Sequence, residues 1–249
     1  MVMVINDAFE QAQVISLATG STCLDETTLA NFDHGSALHD CHAEVLARRG
    51  LIRFFAEQIK HAHQQHSSIF EYDATTHKCH LREKITFHMY ISALPCGDAC
   101  LQQPSNALRY KQGQTEGTQV ASTQSCVHPI KSCSDKICRW NVLGVQGALL
   151  IHLLDKPIYL ETITLACEAT FDRQHVQQTL CERLKDRVDS LPFPFVFKSP
   201  EIDCPQVKSF QREREVGRLQ TCAFAWNITQ ADQPELLEPR TGRLKYADL

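Results

Sequence analysis

The 249-residue sequence lacks any apolar run that approaches the roughly 20 residues a membrane-spanning helix needs. Its longest apolar block, residues 142–154, is interrupted by two glycines, a glutamine and a histidine. The N-terminal segment also lacks the charged start and apolar centre of a secretory signal. We therefore expect an intracellular protein of the cytoplasm or nucleus that does not associate with membranes.

The sequence also lacks an excess of positive charge. It contains 25 Lys and Arg and 29 Asp and Glu, which give a formal net charge of -4. Nucleic-acid-binding domains are usually basic overall, so composition alone argues mildly against one. A local basic face is still compatible with an acidic total. Length and an apolar content of 43% suit a single α/β domain of residues 1–249, and no internal repeat is visible.

Cysteine, in contrast, is plentiful, with 12 residues in the chain. An even number could form the disulfide framework of a secreted protein, but the missing signal argues against that class. Thiols of an intracellular chain remain reduced or bind metal. The cysteines therefore direct attention to a metal site.

Hydrophobic periodicity predicts a mixed sheet flanked by helices. We predict helices at residues 40–61, 134–154 and 171–188, and strands at residues 13–19, 85–93, 158–167 and 223–228. Asp40 is the expected N-cap of the first helix.

Three further segments are predicted to be loops. Residues 67–82 are polar and indicate a loop or hairpin, and residues 102–131 indicate a long surface insertion. The polar tail from residue 235 shows no closing element.

His42 and Glu44 lie two positions apart at the start of the first predicted helix, and Cys96 ends the strand of residues 85–93. Zinc deaminases of nucleobases need three nitrogen or sulfur ligands, an open position for water, and a carboxylate that is not a ligand. Zinc lowers the pKa of its bound water to about 7. We predict His42 and Cys96 as ligands and Glu44 as the proton carrier.

The third ligand is less clear from the residues alone. The usual Pro-Cys-x-x-Cys pattern is missing, because Ala99 stands where the second cysteine would be. Cys100 lies one residue too far along the chain, and Cys133 begins the second predicted helix. A helix N-terminus stabilises a thiolate, which favours Cys133 and leaves Cys100 as the alternative. A structural zinc site or a plain core cluster is the competing interpretation of the whole set.

Three blocks, residues 40–49, 95–98 and 132–150, resemble the editase-type adenosine deaminase domain. That family includes the adenosine deaminases acting on double-stranded RNA and the tRNA-specific adenosine deaminase. The resemblance covers roughly residues 13–245 and implies a cytidine-deaminase-like three-layer core with zinc ligands at helix N-termini. In this family the third ligand is the cysteine of Ser-Cys-Ser-Asp-Lys, which implies Cys133.

The resemblance also implies a reaction, the hydrolytic conversion of adenosine to inosine. Residues 143, 148–154 and 157–160 resemble the tRNA-specific branch, which implies a tRNA substrate edited next to the anticodon of alanine tRNA. Residues 97–98, 102–131 and 20–22 are expected to border the mouth of the site. The unusual ligand spacing argues against an enzyme for free nucleosides or cytosine bases.

Four cations follow the predicted ligands: Arg48 and Arg49 on the first helix, Lys136 and Arg139 on the second. Solvation on an exposed face is the plain interpretation. If all four point inward, they need an anion, because unpaired buried charge is prohibitive. The family resemblance implies that the anion is inositol hexakisphosphate.

Family members continue well past a segment like Thr-Gly-Arg at residues 241–243, where their later helices complete the inositol phosphate pocket. We therefore expect a chain truncated at its C-terminus with an incomplete pocket. The alternative to an active enzyme is a catalytically inactive, zinc-stabilised module that binds RNA or a partner.

Overall fold

The computed structural model describes residues 2–6, 11–24, 37–100, 109–111, 120–122, 130–166, 172–185, 188, 191–205, 222–230, 232–238 and 241–245. Within these ranges, no helix has both the length and the apolar character of a membrane span.

The described residues form 13 strands. These are β1 (Val2–Asn6), β2 (Ala12–Thr19), β3 (Phe70–Asp73), β4 (Lys78–Leu81), β5 (Thr86–Ile91), β6 (Arg109–Lys111), β7 (Val120–Ser122), β8 (Ile130–Lys131), β9 (Thr162–Leu165), β10 (Glu201–Asp203), β11 (Ala223–Asn227), β12 (Glu235–Leu237) and β13 (Leu244–Lys245). Eight of them make one mixed sheet in the order β10-β9-β5-β1-β2-β11-β12-β13. Strands β5, β9 and β10 are mutually parallel, and the remaining neighbours are antiparallel.

The helices of the described ranges are α1 (Ala43–His63), α2 (Cys133–Leu143), α3 (Gly147–Leu150) and α4 (Arg173–Gln177), and α4 continues as a π-helical turn, Gln178–Glu182. This mixed sheet with flanking helices confirms the predicted α/β fold class and is consistent with a cytidine-deaminase-like core.

Helix α1 packs against β2 and β11 of the sheet. Its apolar buried face has helical spacing and consists of Leu46, Ala47, Gly50, Leu51, Phe54, Phe55, Ile59 and Ala62. Val45 and Ile52 of the same helix are half-buried and lie beside that face. The Ser16 hydroxyl donates to Ala47 O at 2.8 Å and ties the helix to β2.

The predicted strands are confirmed with shifted ends, and β1 and β10 were missed. Strand β1 lies between β2 and β5, and four of its five residues are apolar, so its sequence lacks an apolar–polar alternation. The segment at residues 67–82 is a hairpin of β3 and β4.

The prediction of one long helix at residues 134–154 was wrong. Helix α2 ends at Leu143 because Gly144 follows with a positive φ of 75°. A short helix, α3, takes up part of the remainder. The predicted helix at residues 171–188 is likewise shorter, since its regular part ends at Gln177 and a π-helical turn follows.

Strands also occur in two segments for which none was predicted. Residues 102–131 contain β6, β7 and β8, which form a small antiparallel sheet, while the rest of that segment lies outside the described residues. The polar tail does contain a closing element, because β12 and β13 add two strands to the edge of the main sheet.

Candidate metal centre

His42, Cys96 and Cys133 meet at one point of the structure. Their ligand atoms all lie within 4.8 Å of one another, and Cys96 Sγ is 3.8 Å from His42 Nδ1. Zinc–sulfur and zinc–nitrogen bonds in a tetrahedron place such atoms about 3.6 Å apart. The donor set and its spacing therefore fit Zn²⁺.

His42 is the residue that immediately precedes α1, with an extended backbone. The predicted N-cap, Asp40, is thus displaced by two residues, and its carboxylate instead accepts the His42 backbone N–H at 3.0 Å. Gly20 O accepts the Ala43 N–H at 2.9 Å, and Thr22 O accepts the Cys41 N–H at 3.0 Å. These bonds fix the approach to α1, so residues 20–22 brace the histidine.

Cys133 is the first residue of α2. Ser132 caps this helix by accepting the Asp135 N–H at 3.2 Å, while its hydroxyl donates to Asp135 Oδ2 at 2.8 Å. The Cys133 N–H points at Cys96 Sγ, 3.4 Å away. The positive end of the helix therefore faces the sulfur of Cys96.

The loop that carries Cys96 is held directly against α2. The Ser134 N–H donates to Cys96 O at 3.0 Å, and the Ser134 hydroxyl lies within hydrogen-bond distance of Pro95 O and Cys96 O. Gly97 has a φ of 107°, and a Cβ there would lie 2.4 Å from Ser132 Oγ. Glycine is thus required for the loop to approach the helix so closely.

Cys100, the alternative third ligand, is exposed and outside the cluster. Its thiol contacts the backbone oxygens of Leu94 and Pro95 at 3.3 and 3.0 Å. Burial raises the pKa of Cys138 and raises that of Cys181 to about 12, so these two core thiols are poor ligands. The ten described cysteines form no disulfide.

Glu44 lies in the first turn of α1, two residues after His42, and is buried. It does not belong to the cluster of ligand atoms. The described residues thus contain three donors for a metal and a buried carboxylate two residues after one of them.

An ion-paired group beside the cysteines was missed in the sequence. Arg183 contacts both Asp98, at 3.0 Å, and Asp135. Asp98 was expected to border the mouth and contact substrate, but its side chain is 1% exposed and bound to this arginine. Only the Ser-x-x-Asp capping pattern at residues 132–135 could have marked Asp135.

A cavity of about 1360 Å³ lies next to the cluster, and none of the three ligand residues lines it. Five cationic side chains and two carboxylates line it: Arg48, Lys78, Lys131, Lys136 and Arg139, with Asp40 and Asp155. Lys136 contacts Asp40, whose other oxygen accepts the His42 N–H. The Asp40 carboxylate therefore connects the cavity to the metal ligand His42.

Arg48 is half-buried and lines the cavity. Its guanidinium donates to Val145 O at 3.0 Å and lies 5.2 Å from the centre of the Trp140 ring. Burial, together with the charge of Arg139, lowers the pKa of Arg48 to about 10. Arg139 is exposed but lines the same cavity.

Arg49 points elsewhere, because it contacts Glu235 of β12 and does not line the cavity. Arg53, one turn later, also reaches Glu235, at 2.6 Å. The structure therefore brings together three of the four predicted cations and uses the fourth to attach α1 to the edge of the sheet.

Comparison with known proteins agrees with this geometry, since the model of the adenosine-deaminase (editase) domain family matches residues 16–248. The chain belongs to this family. The editase domain is 32% identical over 95% of its length to the mouse double-stranded RNA-specific adenosine deaminase, and covers 23% of that protein.

Two tRNA-specific relatives match shorter parts of the editase domain. It is 33% identical to tRNA-specific adenosine deaminase 1 of Drosophila melanogaster over 64% of its length and 45% of that protein. It is 47% identical to the human tRNA-specific adenosine deaminase 1 over 41% of its length and 22% of that protein. The chain therefore spans less than half of each of these three relatives.

The Glu235 ion pairs predict a pH dependence of stability. Burial alone would raise the pKa of Glu235, but the hydrogen bonds and charges of Arg49 and Arg53 lower it below its ordinary 4.5. Folding therefore favours the ionised carboxylate, whose stabilisation is complete above that value and is lost as the pH falls through the lowered pKa.

Denaturant unfolding of the wild type and Glu235→Gln across pH should show a free-energy difference that is full near pH 7 and shrinks in acid. Glu161→Gln, which breaks an exposed ion pair with Lys198, is the control and should have little effect. A difference that grows as the pH falls would contradict this assignment.

Proposed function

We propose that this chain is a zinc-dependent RNA adenosine deaminase that converts adenosine to inosine. The observation that carries the proposal is the meeting of His42, Cys96 and Cys133 beside a non-ligand carboxylate, Glu44. Family membership supports the reaction class, and relatives named for double-stranded RNA and for tRNA support RNA as the substrate.

The three ligand residues would hold Zn²⁺ through one imidazole and two thiolates. A zinc ion held there supplies the Lewis acidity that makes water a nucleophile at neutral pH. The α2 N-terminus contributes by directing the Cys133 N–H at Cys96 Sγ. Asp40 contributes by holding the backbone N–H of His42.

Glu44 is proposed to move the protons of the reaction. Its carboxylate takes a proton from the attacking water and delivers it to the ring nitrogen next to C6 of adenine. The second proton goes to the exocyclic amine, which leaves as ammonia while the carbonyl of inosine forms. The sum is adenosine plus water giving inosine plus ammonia.

We further propose tRNA as the substrate, with the edited adenosine next to the anticodon of an alanine tRNA. The 47% identity to the human tRNA-specific enzyme, over a part of the chain, supports the tRNA branch. A base must leave its stack to reach a buried metal, and an anticodon loop is already largely single-stranded. The unstacking cost is therefore lower than in a perfect duplex.

Replacement of the proton carrier tests the proposal. Zinc-loaded wild type should form inosine in alanine tRNA, and Glu44→Gln should lower the rate by about 10²–10⁴-fold, the usual contribution of a positioned acid–base group. Bound zinc should stay equal, because Glu44 is not a ligand. Sequencing for inosine and metal analysis give the two readouts, and Glu57→Gln on the same helix is the matched control.

Other substrates separate the alternatives. Turnover of free adenosine or cytidine but not of RNA would indicate a nucleoside enzyme. No inosine in tRNA or duplex RNA from folded, zinc-loaded protein would contradict the proposal and favour an inactive module that binds RNA or a partner.

We also propose that the cationic cavity binds inositol hexakisphosphate through Arg48, Lys136 and Arg139. The excess of lining cations and the repulsion between Arg48 and Arg139 both favour a multiply charged anion there. The neighbouring Lys131 and Lys78 extend the same lining. Arg49 would not contact this anion, because its ion pair with Glu235 attaches α1 to strand β12.

Titration calorimetry with inositol hexakisphosphate should show one site per chain. Arg139→Gln should weaken binding roughly tenfold, as expected for one charged hydrogen bond, while Arg82→Gln in an exposed ion pair should leave it unchanged. Equal weak binding by all three proteins would exclude a site in the cavity.

A further inference from the structure

Arg183 follows the π-helical turn and bridges two carboxylates beside the metal centre. Its Nη1 lies 3.0 Å from Asp98 Oδ2, and its Nη2 contacts Asp135 Oδ1. Both aspartate side chains are 1% exposed, and that of Arg183 is 15% exposed. Asp98 lies two residues after Cys96, and Asp135 lies two residues after Cys133.

We propose that Arg183 is a positioning residue that sets the distance between the two cysteine ligands. The proposal rests on the zinc site proposed above. The cysteines are separated by the long connection of residues 97–132, and a chain of that length leaves the distance between its ends undetermined. The Cys133 and Ser134 N–H groups bring the two ends together at Cys96, and Arg183 adds a contact to a carboxylate on each side.

The segment that carries Arg183 is itself attached to both sides of the gap. His175 in α4 donates its Nε2 proton to Asp98 O at 2.8 Å. Asn141 in α2 donates to Leu180 O of the π-helical turn, also at 2.8 Å. Helix α4 and the turn therefore join the loop of Cys96 to the helix of Cys133, and Arg183 completes the connection with charge.

The charge of Arg183 suits this place. Burial disfavours the guanidinium, but the neighbouring Asp135 and Cys138 outweigh that effect and raise the pKa of Arg183. The carboxylates of Asp98 and Asp135 are both buried and would repel each other at this short separation. A cation between the carboxylates lowers that repulsion, and removal of one member of such a buried group is costly.

The fork of the guanidinium is essential to the proposal, because each terminal nitrogen contacts a different carboxylate. A lysine ammonium is a single point charge on a flexible stem and cannot hold two carboxylates at a set spacing. Arg183→Lys therefore keeps the charge and loses the spacing. This variant therefore distinguishes a role in positioning the two carboxylates from a role in neutralising their charge.

The test uses the full chain loaded with Zn²⁺ or Co²⁺. Zinc affinity is measured by competition with a chelator, and the Co²⁺ absorption spectrum reports the ligand field and the thiolate charge-transfer bands. Arg183→Gln should weaken zinc binding about 10–100-fold, as is usual for residues that orient metal ligands. Arg183→Lys should weaken it less but shift the Co²⁺ bands, and Arg82→Gln is the matched control.

A purely structural role gives a different result. Folded Arg183 variants with the wild-type zinc affinity and Co²⁺ spectrum, whatever their thermal stability, would overturn the proposal. If Arg183→Gln does not fold, Asp98→Asn removes one ionic partner with little change of shape and should shift both readouts in the same direction. Wild-type protein that binds neither metal would overturn the zinc site itself, which distinguishes the two failures.

Discussion

The site depends on one contact, the approach of the α2 N-terminus to the loop after β5. The Cys133 N–H points at Cys96 Sγ, and the Ser134 N–H binds Cys96 O. Without this approach the two cysteines would be held by a connection of more than thirty residues, and no three-donor cluster would exist. Gly97 permits the contact, since any larger residue would collide with Ser132.

A second feature is the way carboxylates are shared between the site and its surroundings. Asp40 holds the His42 backbone and contacts Lys136 of the cavity, while Asp98 and Asp135 hold Arg183. Asp40, Asp98 and Asp135, each two residues from a ligand in the sequence, thus each contact a cation. The net charge of -4 gave no sign of this, because composition does not record which charges are neighbours.

Sequence patterns over a few neighbouring residues predicted individual strands, one helix and the preferred third ligand. Alternation predicted β5, helical spacing predicted α1, and the helix-start argument favoured Cys133 over Cys100 before the structure separated them. The prediction of one long helix at residues 134–154 was wrong because it followed the apolar periodicity and did not treat Gly144 as the end of a helix. Strand β1 was missed because four of its five residues are apolar, so its sequence shows no apolar–polar alternation.

Long-range pairings were beyond local patterns. Nothing near Arg183 in the sequence indicates Asp98 or Asp135, and nothing near Arg49 indicates Glu235, because these partners meet only after the sheet has formed. The same limit explains why four cations were expected together although only three line the cavity.

X-ray absorption at the zinc edge tests the central claim most directly. Protein loaded with one zinc per chain should show two sulfur neighbours at about 2.3 Å and nitrogen or oxygen neighbours at about 2.0–2.1 Å, both in the wild type and in Cys100→Ser. Loss of one sulfur in Cys100→Ser, or a coordination shell with no sulfur in the wild type, would contradict the account.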